Sequence, residues 1–369
     1  MVGVPSLRVL DLSSVGPASR AAGIFADYGA TVTKVLRPRD RIGDAYEAPP
    51  SAYGGAQRVR QLRIDLTDRD GRDVLLRLAD GADVVLESYR PGVAQRLGID
   101  AAVMRARNRR LVHCSITGYG TTGDYANWAG HDLNYVGLAG MLAHGEPRAD
   151  GGPPVPGATV ADGAGGGMHA VIAVLVALLA RERTGEGATL DVSVADGALW
   201  LMSLVVDQHL ATGLDDGPMR LLTGDYGCYS NYRARDGRWL SVAALEHRFW
   251  RNLCVALDLE ELVPMHTEAT AQAEVKQRLT TTFATRDRDE WVAQLGPADT
   301  CVAPVHAPQD VASDPHFRSR GVVREHRLAP LLAGSAPASP PTTDADDDLR
   351  EAGLAQHEID DLRTRRIVE

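Results

Sequence analysis

The run Met168 to Leu179 (MHAVIAVLVALL) is almost continuously apolar and follows directly on the glycine-rich VADGAGGG. A helix that is apolar all round has to be covered all round, so the fold must wrap it. Up to Ala180 the run is shorter than the ~20 residues of a membrane span and is interrupted by His169, so it reads as a buried core helix. Asp162 precedes it, after an extended Thr159-Val160-Ala161. A carboxylate there either caps the helix or faces a ligand, since helix N-termini carry unpaired N–H groups and partial positive charge. Gly163, Gly165, Gly166 and Gly167 tilt the reading towards a ligand site, because they remove side chains that would keep a ligand off the backbone. No Gly-Lys-Ser/Thr follows, so this is not a phosphate-binding P-loop.

The chain before this stretch alternates strand and helix. LRVLDL (7–12) reads as a buried strand, Arg20 to Tyr28 as a helix and TVTKVL (31–36) as a second strand, which predicts a right-handed parallel crossover. An amphipathic helix over 65–79 with Thr67 or Asp68 as cap, and strands at 82–87 and 109–117, extend the pattern to a doubly wound α/β lobe. The first turn lacks GxGxxG, so a dinucleotide site loses its main support. Arginines 37, 39, 41, 58, 60 and 63 cluster after the second strand, where open α/β sheets bind ligands, and suggest a phosphorylated one.

A further strand at 188–194 and an apolar helix over 198–211 close this large lobe, which spans 1–212 and is completed by 316–369. Residues 213–224 read as a linker. A smaller α+β lobe, 225–315, has short strands at 228–233 and 239–242 and helices containing 248–257 and 289–295, and a Pro/Ser-rich crossing at 335–341 precedes an acidic-capped helix.

With 369 residues, two lobes are expected rather than one. A net charge of -10 argues against nucleic acid as a partner. Four scattered cysteines without a Cys-x-x-Cys pair signal neither a zinc site nor a disulfide framework, so no metal is expected. A reducing cytoplasm fits, and MVGVPSLRVLDL lacks the pattern of a signal peptide.

Several spaced motifs then coincide: DLSSVGP, DYGATVTKVLRP, ADVVLESYRPGVAQRLGI, ARNRRLVHCSITGYG, AGHDLNY, VADGAGGG, ARDGRWLSVAALE, TRDRDEW, CVAPV and DPHF. In that order they make the chain resemble the family III CoA transferases (the CaiB/BaiF superfamily), and within them most nearly the α-methylacyl-CoA racemases. The resemblance implies catalytic roles for His131 of AGHDLNY, Asp162 and Glu246 of ALE, and CoA contacts for Arg37, Arg90, Asp132 and Tyr135. It also implies an acyl-CoA thioester substrate and no separate cofactor. The assembly it implies is an interlocked homodimer, in which Glu246 would reach His131 and Asp162 from the second chain. Two positions depart from the usual motifs, Leu36 in KVLRP and Ser230 in CYSNY.

Inverting a carbon next to a thioester requires an acid/base group on each face, each with a pKa near working pH. His131, supported by Glu246, is expected to serve one face and Asp162 the other, with N–H groups at the VADGAGGG helix start as donors to the enolate oxygen. CoA transfer with Asp162 as the nucleophile of a mixed anhydride is the alternative, and CoA-ester binding without catalysis is a second.

Overall fold

The computed structural model describes residues 3–4, 6–41, 59–213, 218–324, 327–328 and 345–369. Arg58 and the 335–341 crossing lie outside them. The chain runs β1 (Arg8–Asp11), α1 (Pro17–Asp27), β2 (Thr31–Leu36), β3 (Arg60–Arg63), α2 (Arg69–Asp80), β4 (Val84–Glu87), α3 (Val93–Leu97), α4 (Ala101–Arg107) and β5 (Val112–Thr117). There follow α5 (Asp132–Leu138), α6 (Met141–His144), a π-helical turn Ala161–Met168 continuous with α7 (His169–Thr184), β6 (Thr189–Ser193), α8 (Val194–Leu201) and α9 (Ser203–Thr212). The remainder is β7 (Tyr229–Arg233), β8 (Trp239–Ala243), α10 (His247–Ala256), α11 (Gln272–Phe283), α12 (Arg288–Leu295), β9 (Val302–Val305), α13 (Pro308–Val311), α14 (Pro315–Ser319), the two-residue strands Val323–Arg324 and Arg327–Leu328, α15 (Ala345–Glu351) and α16 (Gln356–Thr364).

Two compact units result: 1–139 with 156–202 and 320–369, and 140–155 with 203–319. The sequence boundaries differ from these, residues 316–319 among them, which fall in the second unit and not with the large lobe. Residues 140–155 belong to the second unit, and the apolar stretch 198–211 is not one helix, because the chain leaves helical geometry at Met202 (φ -91°, ψ 6°). Helix α9 therefore falls in the second unit.

The first unit carries a six-stranded sheet in the order β3-β2-β1-β4-β5-β6, with every pairing parallel. This doubly wound order reverses direction between β1 and β4, and a crevice opens at such a switch point at the carboxyl ends of the strands. Central strands covered on both faces need apolar residues at every position, and Val84, Val85 and Leu86 of β4 are fully buried. Asp68 caps α2 by accepting from the Asp70 N–H at 2.8 Å, and Val74, Leu75, Leu78 and Ala79 turn inwards. The C-terminal segment closes the β3 edge. Ile64 bridges Val368, the Glu369 N–H donates to the Arg63 carbonyl at 2.9 Å, and Leu349, Ile359 and Leu362 enter the core. Arg60, expected among ligand-binding arginines, instead forms a buried ion pair with Asp348 of α15.

Expectations for the central stretch need two corrections. Val160 is already helical (φ -72°, ψ -43°), so the extended 159–161 is absent and Asp162 sits inside the first turn. The helix is also not a buried core helix. It is unbroken from Ala161 to Thr184, 24 residues, long and apolar enough to cross a membrane by length and composition alone, so the argument from shortness fails. One face packs through Ala170, Val171, Val174 and Ala177, and buried Arg181 pairs with Asp83 at 3.0 Å. The other face leaves Met168, Ile172, Val176 and Leu179 more than half exposed.

The glycine run does not form an open cradle either. A methyl on Gly165 would lie 2.8 Å from the Ala198 nitrogen, and one on Gly166 2.6 Å from Pro17 Cβ. These glycines let α8 and α1 approach the π-helical turn backbone to backbone. Of the run, Gly163 alone has room, with its nearest neighbour, the Arg20 guanidinium, at 3.9 Å.

The second unit has an antiparallel sheet β7-β8-β9. The sequence reading missed α11 and did not pair 302–305 as a third strand. Trp250 is fully buried and donates its indole N–H to the Leu262 carbonyl at 3.1 Å, within a core that includes Leu253, Phe283 and Trp291.

The glycine packing is testable by thermal unfolding. Gly197→Ala would drive a methyl into the Gly165 carbonyl and is expected to cost about 1–3 kcal/mol, whereas Gly163→Ala should leave Tm level or higher. Equal behaviour of the two variants would contradict the close approach.

Candidate functional site

A pocket of about 400 Å³ opens at the carboxyl ends of β1, β4 and β5. Val15, Gly16 and Pro17 line it after β1, Ser88 to Pro91 after β4, and Thr117 to Tyr119 after β5, with His131, Tyr135 and Asp162 beside them. All these residues belong to the first unit. The switch point predicted for a parallel sheet of this order is therefore where the site forms.

His131 stands immediately before α5, and its backbone serves as the cap. The His131 N–H donates to Asn134 Oδ1 at 3.0 Å, and the Asn134 N–H donates to the His131 carbonyl at 2.8 Å. The imidazole is exposed on the pocket wall. Asp132, the first residue of α5, accepts the Asp162 N–H on Oδ1 at 2.8 Å, which ties the two acidic segments together.

Burial pushes the Asp162 carboxyl above the usual carboxylate range, and the Asp132 charge adds to this, while Arg20 and His131 act in the opposite direction. Desolvation and a like charge both favour the neutral acid. The N–H groups expected to face an enolate are partly engaged elsewhere: that of Asp162 on Asp132, and that of Gly163 on the Thr159 carbonyl at 3.0 Å. The π turn widens the helix here, with the His169 N–H reaching the Ala164 carbonyl five residues back. Such turns are rare and recur at functional sites.

Tyr135 is buried against Tyr119, ring centroids 5.1 Å apart, and donates its hydroxyl to the Gly130 carbonyl at 2.6 Å. Its phenol is pushed up to about 12 by burial first and then by the Asp162 charge. A side chain at Gly130 would come 2.7 Å from the Tyr119 hydroxyl, so the glycine of AGHD is required for this seat. Arg90 is exposed and lines the pocket, with its guanidinium available for an anion. Arg37 is not a lining residue. It is exposed after β2, its carbonyl accepts from Arg63 at 2.6 Å, and its charge reaches Tyr89.

Glu246 lies in the second unit, exposed at the start of α10, where its carbonyl accepts the Trp250 N–H at 3.1 Å. Its side chain makes no cap, and it is not among the residues lining the pocket. Its charge acts on the thiol of Cys301, which burial pushes up in the first place.

Sequence reasoning missed three contributors. Tyr89 lines the pocket, its phenol pushed up to about 12 by burial and then by Glu87. Arg20 sits beside Asp162 across the α1 contact. Trp128 forms part of the rim. SYRPG and DLSSVGP end strands and could have indicated the first two, and Trp128 adjoins AGHD. Below the pocket mouth, Lys34 pairs with buried Asp11 at 2.7 Å and donates to Ser19 at 2.8 Å, which makes it a scaffold cation.

Comparison with known proteins identifies the family of the chain. The description "CoA-transferase family III" fits residues 5–348. A human protein named alpha-methylacyl-CoA racemase is 30% identical, the match covering 100% of this chain and 98% of that one. Succinate–glutarate CoA-transferase from Agrobacterium fabrum is 28% identical over 86% of this chain and 83% of its own. A crystal structure of a CaiB/BaiF family protein from Brucella suis superposes with a TM-score of 0.75 at 25% identity, covering 95% and 98% of the two chains. The chain accordingly belongs to CoA-transferase family III, whose members include both racemases and CoA transferases.

Proposed function

We propose that the protein is an isomerase that inverts the α-carbon of a 2-methylacyl-CoA thioester. The observation that carries this reading is the presence of His131 and Asp162 in one pocket, the carboxyl of Asp162 being raised towards working pH. One group takes the α-proton, the C–H electron pair passes into the carbonyl as an enolate, and the group on the opposite face returns a proton to carbon. Arg90 and Arg37 receive the phosphates of CoA, Asp132 and Tyr135 hold the walls beside the thioester, and CoA enters as part of the substrate with no further cofactor.

CoA transfer is the second reading, favoured by the half-buried carboxylate of Asp162 in the pocket and by the name of the Agrobacterium relative. Proton NMR in D₂O on one enantiomer of a 2-methylacyl-CoA separates the two. Loss of the α-proton signal with formation of both enantiomers is expected, and His131→Ala and Asp162→Asn should each slow it by at least ~10²-fold. Retention of the α-proton with movement of CoA to an added acid would replace racemisation by transfer. Binding with neither reaction would leave a CoA-ester-binding protein.

Folding can be separated from chemistry in these variants. A raised carboxyl binds its proton more tightly in the folded than in the unfolded chain, so its ionisation weighs against folding as pH rises. Asp162→Asn should therefore not lower Tm at neutral pH.

If Asp162 acts as the base, its ionisation sets the acidic limb of kcat/KM, above the position of an ordinary carboxylate. Asp132→Asn keeps an oxygen to accept the Asp162 N–H but removes the adjacent charge. The acidic limb is then expected to move to lower pH, and a limb that stays or moves upward would reject the assignment.

We also propose a homodimer in which the exposed apolar face of α7 is covered by a second copy and Glu246 of the partner subunit completes the site. Support comes from Ile172, Val176 and Leu179, each at least 60% exposed on one helix face, since large contiguous apolar patches mark interfaces. Light scattering should give twice the 39.5 kDa chain mass, and Val176→Glu should give a monomer without activity. A fully active wild-type monomer, or a chain recovered only with lipid, would overturn this assembly.

A further inference from the structure

The rim of the pocket carries an aromatic assembly that the acid/base chemistry does not use. Trp128 lines the pocket, three residues before His131, and stays 60% exposed. Its indole is stacked on Tyr125, ring centroids 4.0 Å apart and planes 27° from parallel. Tyr119 meets both edge-on, at 6.4 Å from Trp128 and 6.0 Å from Tyr125, and packs against buried Tyr135 below. The aromatic series thus runs from the buried wall beside Asp162 to the open rim.

The loop bearing these rings is held in place. The Trp128 N–H donates to the Tyr125 carbonyl at 2.8 Å, the Thr121 N–H donates to Asp191 at 3.0 Å, and the Tyr135 hydroxyl fixes the Gly130 carbonyl. A pre-ordered aromatic surface loses little conformational freedom when a ligand covers it. Flat π faces add an attraction for other rings beyond the area they bury, and a flexible alkyl chain gains only the area.

Building on the acyl-CoA reading of this pocket, we propose that Trp128, backed by Tyr125, is a specificity-determining wall for the acyl group and selects thioesters with a planar ring close to the α-carbon. The adenine of CoA also offers a planar ring. It is separated from the thioester by the whole pantetheine and pyrophosphate length, whereas Trp128 is linked through Tyr119 to Tyr135 on the wall beside Asp162 and stands three residues before His131, in a pocket that Arg90 also lines. The ring that meets Trp128 therefore belongs to the acyl end.

The test uses unreactive thioethers with a methylene in place of the thioester carbonyl, so that binding is read without turnover. Calorimetry compares 2-phenylpropyl-CoA with 2-methyldecyl-CoA on the wild-type protein, Trp128→Ala and Trp128→Phe. Trp128→Ala is expected to weaken the phenyl ligand up to about tenfold more than the alkyl ligand, which loses only the buried area, with Trp128→Phe restoring most of the difference. The same selective loss should appear with the corresponding pantetheine thioethers, which lack adenine. Equal weakening of both ligands, no weakening, or an effect that vanishes with the pantetheine compounds would overturn the inference. Selective loss in a protein that exchanges no α-proton would leave the acyl wall standing and remove only the racemase reading.

Discussion

The site depends on how closely three helical segments can approach one another. Gly165 and Gly197 meet backbone to backbone, and Gly166 lies on Pro17, so α1, α8 and the π-helical turn converge where any side chain would hold them apart. Asp162 projects from the turn so fixed, and Asp132 is bonded to its amide. Backbone contact of this kind gives dispersion energy and little freedom to relax. A carboxylate placed by it is held in one position, as the proposed acid/base role of Asp162 requires.

Above this contact the parallel sheet supplies the opening. The strand order reverses between β1 and β4, the turns that follow those strands diverge, and Gly16, Pro17, Ser88, Tyr89 and Arg90 are left around a shared hollow. Lys34 is held by Asp11 and Ser19, so the exposed cation lining the pocket is Arg90 rather than Lys34. The same division separates Arg60, committed to Asp348, from arginines that can meet a phosphate. Sequence proximity alone had grouped them.

The long apolar helix shows the opposite case, where pattern and packing part. Its buried face is built from small residues, Ala170, Val171, Val174 and Ala177, against the sheet, while its larger side chains turn outwards. A uniformly apolar sequence cannot say which face meets the chain's own core, because no polar stripe marks the difference.

The sequence by itself indicated the strands β1, β2, β4 and β5 with helices between them, a helix cap at Thr67 or Asp68, and His131 and Asp162 as candidates, because period, capping chemistry and motif spacing are local and survive without coordinates; it did not show β3, whose arginines hide the strand pattern. It could not determine which glycines serve packing rather than a ligand, since Gly163 and Gly166 are the same letter and differ only in what lies 3.9 or 2.6 Å away. Nor could it separate Arg60 from Arg90, or reveal the Trp128–Tyr125 stack beside His131. Those distinctions are distances between segments far apart in the chain, and only tertiary packing sets them.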